Sequence, residues 1–355
     1  MELSDEASDI RKGEELPQNK IEAFIRENME GIAGPIVIRQ FPSGHSNLTY
    51  LILAGNREMV LRCPPHGTKA RTAHDMGREY RILTALQTAY PYCPKPLAYS
   101  EDKRILGSPF YLMERLKGII IRRDLPGQLA LTPADTTRLF ENILKVQYQL
   151  HAIDFEKIGL ETFGKPDGYV TRQVDGWSRR YRAARTPDVP DGKKVMDWLS
   201  DNMPQEAHPP AILHNDFKFD NVILDPENPF TVIGVLDWEM ATIGDPLMDL
   251  GATLGYWVQK GDPKEMQALR MGPTNAPGAL TRKEMVCRYE QFSGRKIENF
   301  NFYYCFGVFR LATIVQQIYY RYFHGQTADK RFKNLAFSVN TLINTAERIV
   351  KEGDV

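Results

Sequence analysis

The segment spanning residues 214–237 constrains the fold of this 355-residue chain more than any other stretch. Asp216 and Asn221 lie five residues apart, and two short apolar runs follow at once. These runs cover residues 222–224 and 231–236. Apolar runs separated by a turn rich in Asp, Pro and Asn are typical of a β-hairpin. Such a hairpin would return Asp237 toward Asn221, so we expect two carboxylates and one carboxamide to converge on one place.

These three side chains have the chemistry of a phosphotransfer site. Mg²⁺ is a hard ion that is bound by few protein oxygens together with phosphate and water. Asn221 and Asp237 are predicted to hold the metal, which leaves Asp216 to accept a proton from a substrate hydroxyl. Protein kinases use an Asp, an Asn five residues later and a metal-binding Asp on the next hairpin in the same way. Each residue by itself also fits a turn former or a helix cap, so the spacing carries the prediction.

Three motifs carry a resemblance to a known family. They are His214-Asn215-Asp216 with Asn221, Val235-Leu236-Asp237-Trp238-Glu239, and Gly244-Asp245-Pro246-Leu247-Met248-Asp249-Leu250. Across residues 30–330 the chain resembles the aminoglycoside phosphotransferase/choline kinase-like family, and more closely the phosphotransferase domains associated with acyl-CoA dehydrogenases. The resemblance implies an α+β, bilobal protein-kinase-like fold with a small N-terminal antiparallel-sheet lobe and a larger, mainly helical C-terminal lobe. It also implies ATP and Mg²⁺ as cofactors, with the nucleotide bound between the lobes.

Composition argues against several other classes of protein. Lys plus Arg and Asp plus Glu both number 45, so the net charge is zero, and nothing draws the chain generally to nucleic acid or to an anionic membrane. No apolar run approaches the ~20 residues of a membrane-spanning helix, and the acidic, polar start does not resemble a signal peptide. The four cysteines have neither metal-ligand nor disulfide spacing. We expect a cytoplasmic protein with a small-molecule hydroxyl substrate, no nucleic-acid partner and no membrane partner, and composition leaves its oligomeric state open.

The pattern along the chain indicates three parts. Residues 1–30 are expected to form a polar extension and a short helix, residues 31–116 a nucleotide-binding N-lobe, and residues 117–355 a catalytic and substrate-binding C-lobe. Strands of the N-lobe are expected at residues 36–41, 48–53, 58–63 and 109–116. Helices of the C-lobe are expected behind Thr132-Pro133 and at residues 169–184, 245–258, 282–292, 302–323 and 329–351. The catalytic hairpin is expected as a small β insertion in the helical lobe.

A turn between the first two predicted strands is a candidate phosphate-binding segment. Its residues are Ser43, Gly44, Ser46 and Asn47. A glycine with small polar neighbours can bring backbone N–H groups close to phosphates. The same composition also fits a plain hairpin turn, and it is the resemblance that places a phosphate contact here.

The resemblance assigns further nucleotide contacts to the N-lobe. Arg62 lies where kinase-like folds usually have the lysine that holds the α- and β-phosphates, and Glu79 would pair with it. Lys69 is the alternative cation for the phosphates. The sequence also fits an Arg62 that lies on the surface and a Glu79 that is solvated on a helix face. Met113, Glu114 and Leu116 would form the hinge, with adenine read by the backbone of Glu114 and Leu116. From pattern alone this segment also fits an ordinary core strand.

Residues near Asp216 are predicted to support it. Lys218 is a candidate for steadying the transferred phosphoryl group by neutralising developing charge, although an exposed loop lysine is an equal alternative. His214 is expected to be structural and to hold the loop by hydrogen bonds. By resemblance, Asp249 braces the catalytic loop from the next helix. Asp245-Pro246 fits a helix N-cap followed by proline.

The helical stretch 169–184 is the candidate wall of the acceptor site. Arg172, Trp177 and Arg179 combine guanidinium groups with flat apolar surface, which suits an anionic acceptor because arginine binds carboxylate and phosphate in a bidentate fashion. The resemblance to dehydrogenase-associated domains points to a hydroxylated acyl compound. An ordinary solvated amphipathic helix is the alternative.

Two other functions compete with the small-molecule kinase. A catalytically weak, pseudokinase-like nucleotide-binding protein is favoured by Arg62 and the sparse phosphate loop, but the intact set of Asp216, Asn221 and Asp237 argues against it. A metal-dependent hydrolase is the other alternative, and it is disfavoured because the chain has no second histidine at metal-ligand spacing. A protein kinase is not expected, because the chain has no His-Arg-Asp, Asp-Phe-Gly or Ala-Pro-Glu segment.

Overall fold

The computed structural model describes residues 6–42, 47–65, 75–204, 208–327 and 329–353. In these ranges the strands are β1 (Ile36–Gln40), β2 (Leu48–Ala54), β3 (Arg57–Cys63), β4 (Pro96–Ser100), β5 (Phe110–Glu114), β6 (Ile119–Ile120), β7 (Ala211–Leu213), β8 (Val222–Leu224), β9 (Val232–Val235) and β10 (Thr242–Gly244). The α-helices are α1 (Gln18–Asn28), α2 (Met76–Leu86), α3 (Lys103–Leu106), α4 (Pro133–His151), α5 (Tyr169–Ala184), α6 (Lys193–Asp201), α7 (Pro246–Gly255), α8 (Lys264–Ala268), α9 (Arg282–Ser293), α10 (Phe300–Phe323) and α11 (Leu335–Glu352). An N-terminal antiparallel sheet is thus followed by a mainly helical remainder, which confirms the predicted α+β class.

The chain divides into two units, which are described separately. Unit 1 comprises Met1–Ile120, Ile158–Leu160 and Val222–Ala241. Unit 2 comprises Ile121–Lys157, Glu161–Asn221 and Thr242–Val355. Among the described residues, no helix combines the length and the apolar character needed to cross a membrane.

Unit 1 is built on a five-stranded sheet in the order β1-β2-β3-β5-β4, in which every neighbouring pair is antiparallel. The strands form because apolar side chains line the face that packs on the core, including the fully buried Tyr50, Leu61 and Leu112. Helix α1 packs on this face, with the rings of Phe24 and Phe110 4.9 Å apart. The sheet therefore fixes the positions of side chains on β3 and β5.

The catalytic hairpin belongs to unit 1, which corrects the expectation that it is an insertion in the helical part. Strand β8 pairs with β9 on one side, with Val222 opposite Val235, and with β6 on the other. The ring of Trp238 packs at 5.8 Å from that of Tyr90, and the Trp238 indole N–H donates to Val235 O at 2.8 Å. The pairing with β6 and the contact of Trp238 with Tyr90 are long-range in sequence, so local pattern could not reveal them.

Unit 2 consists of helices around the short antiparallel pair β7 and β10. Helix α7 starts with Asp245, whose carboxylate accepts from the Leu247 N–H at 2.8 Å, and Pro246 follows as its first residue. The predicted N-cap is therefore confirmed. Helices α7 and α10 approach closely at Gly251 and Gly307, because glycine has no Cβ atom. A Cβ atom at either position would collide with the backbone of the opposing helix.

The predicted helices agree with the structure in most places. Helix α5 has the predicted bounds, and α4 begins behind Thr132 with a reciprocal capping box to Asp135. The stretch predicted as one helix from residue 329 instead begins with a 3₁₀ turn at Lys330–Asn334, and α11 follows it. The strands β4, β6, β7 and β10 and the helices α3, α6 and α8 were not predicted. All of them except α6 have five residues or fewer, and segments of that length give little periodic signal.

Candidate active site

The loop that carries Asp216 starts where β7 ends, and one buried carboxylate holds its backbone. Asp249, on α7, is fully buried and accepts hydrogen bonds from the N–H groups of His214 at 3.0 Å and Asn215 at 2.7 Å. Asn215 has φ of +63°, a left-handed conformation that asparagine tolerates better than most residues. Asp249 therefore fixes the backbone immediately before Asp216, which fits the bracing role expected for it.

Asp249 is also tied to helix α4. His151 Nε2 lies 2.9 Å from Asp249 Oδ2, and His151 Nδ1 lies 2.7 Å from the Tyr289 hydroxyl. Nε2 carries the proton in this pair because an ionised carboxylate can only accept. Burial alone would raise the pKa of Asp249, but the hydrogen bond from His151 and the nearby imidazoles outweigh burial and hold that pKa below its usual value.

His214 supports the loop from inside the unit, as expected. Its side chain is fully buried, and its Nδ1 accepts from the Asp216 N–H at 3.2 Å. The imidazole ring is 5.9 Å from the ring of Phe217 in an edge-on arrangement. These contacts occupy His214 within the protein and fit a structural role.

Asp216 receives hydrogen bonds on both carboxylate oxygens. Tyr256 donates its hydroxyl to Oδ1 at 2.9 Å, and the Asn221 amide donates to Oδ2 at 3.0 Å. Lys218 Nζ also lies 3.0 Å from Oδ2. The Asp216 side chain keeps 15% of its surface exposed, so it is fixed in position and still open to solvent on one side.

Lys218 is held between a carboxylate and an aromatic ring. Its ammonium group contacts Asp216 and lies 5.2 Å from the centroid of the Tyr256 ring. Burial alone would lower the pKa of Lys218, but the charge of Asp216 outweighs burial and raises that pKa above its ordinary value. Lys218 is therefore a fixed cation beside Asp216 at neutral pH.

Asn221 is held against Asp216 by its side-chain amide. Its side-chain N–H₂ donates to both Asp216 O, at 2.8 Å, and Asp216 Oδ2. The carboxamide oxygen takes no part in these two bonds. Asn221 directly precedes β8, whose Val222 pairs with Val235 on β9.

Asp237, the other predicted metal ligand, lies two residues after β9 in unit 1. It has φ of +68°, and its side chain is 34% exposed. Its carboxylate oxygens are donors of the kind that Mg²⁺ prefers. Among the described residues, no group of three or more His, Cys, Asp and Glu side chains is arranged to hold a metal ion.

Arg62, on β3, is the centre of an acidic cluster in unit 1. Its Nη1 donates to Glu79 Oε1 at 2.6 Å, which confirms the predicted pair. Its Nη2 donates to Asp237 Oδ1 at 2.9 Å and lies 3.8 Å from Glu239 Oε2. Burial would lower the pKa of Arg62, but Glu79 and the other anionic neighbours outweigh burial and raise it. The guanidinium is therefore permanently charged and shared among several carboxylates.

The predicted phosphate-binding turn lies mostly outside the described residues. Ser43, Gly44 and Ser46, and the alternative cation Lys69, are not described. Asn47 is buried, and its side-chain amide donates to Glu239 Oε2 at 2.8 Å. Asn47 is thus connected to the same acidic cluster as Arg62.

The predicted hinge lies at the end of β5. Met113 is buried in the sheet. The Glu114 N–H donates to Lys95 O at 2.9 Å, so Glu114 has only its carbonyl oxygen to offer an adenine ring. Leu116 lies beyond the strand, and its N–H makes no hydrogen bond to any described residue. The adenine contacts expected of Glu114 and Leu116 stay predictions.

Helix α5 does not present the apolar surface that was expected for the acceptor wall. Trp177 is only 6% exposed, and Tyr169 and Tyr181 are also buried. The guanidinium groups of Arg180 and Arg310 lie over the Trp177 ring, at 4.6 and 5.2 Å from its centroid. The expectation that Trp177 lies on an open wall is therefore wrong, because the aromatic face of this amphipathic helix packs into the core of unit 2.

The two arginines predicted beside Trp177 are exposed. Arg172 donates to the backbone carbonyls of Lys165 and Asp167 in the loop before the helix. Arg179 lies on the outer face two turns further along. Their roles toward an acceptor stay predictions.

A family model described as the phosphotransferase enzyme family matches residues 37–281, which is more than half of the chain. The chain belongs to this family. The resemblance drawn from the three motifs is thereby confirmed. The loop with Asp216 and the hairpin with Asp237 both lie inside the matched range.

This chain of the phosphotransferase family is similar to curated proteins and to solved structures. Acyl-CoA dehydrogenase family member 10 of Mus musculus is 36% identical over 323 residues, which cover 90% of this chain and 30% of that protein. The chain therefore spans less than a third of the length of this curated relative. A solved structure from Ralstonia eutropha JMP134, provisionally assigned as an aminoglycoside phosphotransferase, is 30% identical with a TM-score of 0.81 and covers 95% of this chain and 99% of that one.

Choline kinase from Cryptosporidium parvum Iowa II has the same fold. It superposes with a TM-score of 0.65 at 13% identity and covers 94% of this chain and 97% of that one. The fold of this member of the phosphotransferase family is thus shared with a protein of very different sequence.

Several residues that contact the candidate site were not predicted from the sequence. Tyr256 follows Asp249 by seven residues, a spacing that places both on one side of a helix, and this could have identified it. Glu239 lies inside a motif that was already recognised. Arg310, which donates to Asn215 O at 2.6 Å, is distant in sequence and gave no local signal. Asp220 adjoins the motif, and burial raises its pKa.

Proposed function

We propose that this protein is an ATP-dependent small-molecule kinase that transfers the γ-phosphoryl group to a hydroxyl of a metabolite. The proposal rests on the contacts of Asp216. Its carboxylate is accessible, it accepts hydrogen bonds from Asn221 and Tyr256, and it lies beside the cation of Lys218. A fixed carboxylate beside a fixed cation suits proton abstraction from an alcohol next to a highly charged phosphoryl group. Membership of the phosphotransferase family supports the same reaction.

In the proposed reaction Asp216 orients and deprotonates the acceptor. The acceptor hydroxyl gives its proton to the Asp216 carboxylate while its oxygen forms a bond to the γ-phosphorus. The bond from that phosphorus to the β-phosphate oxygen breaks, and ADP leaves. Lys218 lies beside the carboxylate and would offset the negative charge on the transferred group.

The nucleotide contacts are proposed for residues of unit 1. Arg62 would meet the phosphates, and its firm pair with Glu79 keeps the guanidinium in place. Because Nη2 also donates to Asp237, a phosphate oxygen would share or replace that second partner. The hinge would read adenine through Glu114 O and Leu116 N–H, with Met113 packed behind it.

Asn221 and Asp237 are proposed to hold Mg²⁺. A bound magnesium ion would neutralise phosphate charge and favour departure of ADP. The residues fit this ion because both donors are oxygens. Asp216 would keep Asn221 oriented by accepting from its amide nitrogen.

The acceptor is proposed to be a small anionic hydroxy compound, such as a hydroxylated acyl derivative. Arg172 and Arg179 are exposed cations on α5, and Lys218 adds a cation directly beside Asp216. The similarity to an acyl-CoA dehydrogenase family member agrees with an acid as acceptor. A polycationic aminoglycoside would meet these charges unfavourably.

The proposal is tested by the variant Asp216→Asn. We predict that it binds ATP as the wild type does and loses phosphoryl transfer by roughly 10²-fold or more, the usual scale for a positioned base. Binding is measured by calorimetry with ATP and Mg²⁺, and transfer by coupled ADP release. Asp225→Asn is the matched control, because Asp225 caps the hairpin turn by accepting from the Glu227 N–H. Near-normal turnover by Asp216→Asn would refute the assignment of the base.

A further inference from the structure

Donors are unevenly distributed over the two oxygens of Asp216. Oδ2 faces both Asn221 Nδ2 and Lys218 Nζ, each at 3.0 Å. Oδ1 accepts a single hydrogen bond within the described part of the chain, from the Tyr256 hydroxyl at 2.9 Å. An ionised carboxylate offers about four lone-pair positions. Oδ1 therefore keeps a position at which an acceptor hydroxyl can approach, while both positions on Oδ2 are occupied.

Tyr256 is placed by the same helix that holds the backbone of the Asp216 loop. It caps the C-terminus of α7, where its N–H donates to Thr253 O and Leu254 O. Asp249, seven residues earlier, accepts from the loop backbone. The close approach of α7 to α10 at Gly251 and Gly307 leaves this helix little freedom to shift. Helix α7 therefore fixes both the backbone before Asp216 and the carboxylate itself.

Tyr256 also contacts the second charged group of the site. Its ring lies 5.2 Å from Lys218 Nζ, a distance at which the ring face attracts a cation. Both residues line a small recess in unit 2 together with Trp257 and Met271. Burial, followed by the charge of Asp216, raises the pKa of Tyr256 to about 12. The hydroxyl therefore stays protonated and donates throughout the neutral range.

We propose that Tyr256 is a positioning residue for the reaction, with two separable parts. Its hydroxyl holds Asp216 so that Oδ1 is the oxygen that takes the acceptor proton, and its ring holds Lys218 beside the carboxylate. This inference rests on the proposed function, since it assigns a role within the same phosphoryl transfer. A misplacement of the base by about 1 Å is enough to reduce a rate by roughly 10²-fold, which is why such a residue matters.

The two parts are separated by the variants Tyr256→Phe and Tyr256→Leu. The phenylalanine variant removes only the hydroxyl, so kcat should fall by about 10-fold or more with the KM for ATP unchanged. The leucine variant also removes the ring under Lys218, so kcat should fall further. Tyr319→Phe is the matched control, because it removes a tyrosine–aspartate hydrogen bond of 2.6 Å to Asp188, which no proposed catalytic residue contacts.

The assay is ADP release from ATP and Mg²⁺, measured with water as the acceptor and with a set of small hydroxy acids added. If the wild type turns over and Tyr256→Phe matches Tyr319→Phe, the positioning role is overturned and the proposed function stands. A change confined to the KM of an added hydroxy acid would make Tyr256 an acceptor contact and would also overturn the positioning role. Absence of wild-type turnover under every condition would overturn the proposed function and this inference together.

A second measurement tests the contact without any turnover. Tyr256→Phe should lower the melting temperature in the wild-type background but have a smaller effect in the Asp216→Ala background, where the hydroxyl has no carboxylate to hold. Equal shifts in the two backgrounds would show that the hydroxyl and Asp216 are not coupled in solution, and the proposal would fail.

Discussion

Replacement of Asp249 by asparagine tests whether one buried carboxylate holds the catalytic loop. Asp249 accepts from the N–H groups of His214 and Asn215 and from His151 Nε2, at distances of 2.7–3.0 Å. A carboxamide has one acceptor oxygen, so its N–H₂ group would face at least one of these donors. The loss of a charge-assisted bond costs about 1.5–3 kcal/mol, and a buried donor left without an acceptor costs about 1–3 kcal/mol. We therefore predict a loss of about 3–5 kcal/mol in the free energy of unfolding.

The assay is urea denaturation of the wild type and Asp249→Asn at pH 7, followed by fluorescence. Asp197→Asn is the control, because Asp197 forms an exposed ion pair with Lys193 that should contribute little. Two results would refute the reasoning about Asp249. One is a loss below about 0.5 kcal/mol, the range of ordinary surface substitutions. The other is an equal loss in the control.

The same variant has a defined pH dependence. The pKa of Asp249 is lower in the folded protein than its ordinary value of 3.8, so its carboxylate stabilises the fold above that value. This contribution is lost as pH falls through the lower, folded-state pKa. The difference in stability between the wild type and Asp249→Asn should therefore be constant from pH 7 to about pH 5 and shrink below about pH 4. A difference that grows on acidification would contradict the direction of the shift.

The remaining predictions concern nucleotide, metal and acceptor. Arg62→Ala should weaken ATP binding much more than adenosine binding and destabilise the fold by about 3–5 kcal/mol, because Glu79 would be buried without its partner; equal loss for both ligands in calorimetry would make Arg62 structural. Asp237→Ala should weaken nucleotide binding only when Mg²⁺ is present, and identical Mg²⁺ titrations of variant and wild type would exclude Asp237 as a ligand. Arg172→Glu and Arg179→Glu should raise the KM for anionic hydroxy compounds, and preferential phosphorylation of kanamycin-like polycations by the wild type would contradict an anionic acceptor.

The hairpin that follows Asn221 could be predicted because its geometry is largely local. The spacing of Asp216 and Asn221, and a hairpin bounded by turn residues, are set by a few neighbouring residues. The capping of α7 by Asp245 could likewise be predicted from the sequence, because the cap residue and the proline are adjacent. Where an element is set by adjacent residues, as in this hairpin and this helix cap, pattern and structure agree.

The residues that orient the motif could not be predicted with the same certainty, because they reach it through the packing of distant helices. Tyr256 contacts Asp216 across 40 residues of sequence, from helix α7, which packs closely against α10 at Gly251 and Gly307. The amphipathic pattern of α5 predicted the helix correctly, but it did not show that Trp177 would face the core. The apolar face of an amphipathic helix can pack in a core or line a site, and the sequence pattern does not distinguish the two.

Long-range pairing also decided where the hairpin belongs. Strand β6 is two residues long and gives no sequence signal, yet Ile119 pairs with Leu224 and links β8 to unit 1. A Cβ atom at Gly118 would collide with Leu224 O, so a glycine is needed at that approach. The sequence position of the hairpin, inside a run of helices, pointed to the other unit.

Direct detection of phosphoryl transfer tests the central claim most sharply. The purified protein is incubated with Mg²⁺ and γ-³²P-labelled ATP against a panel of hydroxylated metabolites that includes anionic hydroxy acids, and the products are separated from nucleotide and identified by mass spectrometry. The account predicts that label appears on an acceptor hydroxyl with the wild type and is lost with Asp216→Asn. Saturable ATP binding without label on any acceptor, and without release of phosphate, would contradict it and favour a nucleotide-binding protein that lacks turnover.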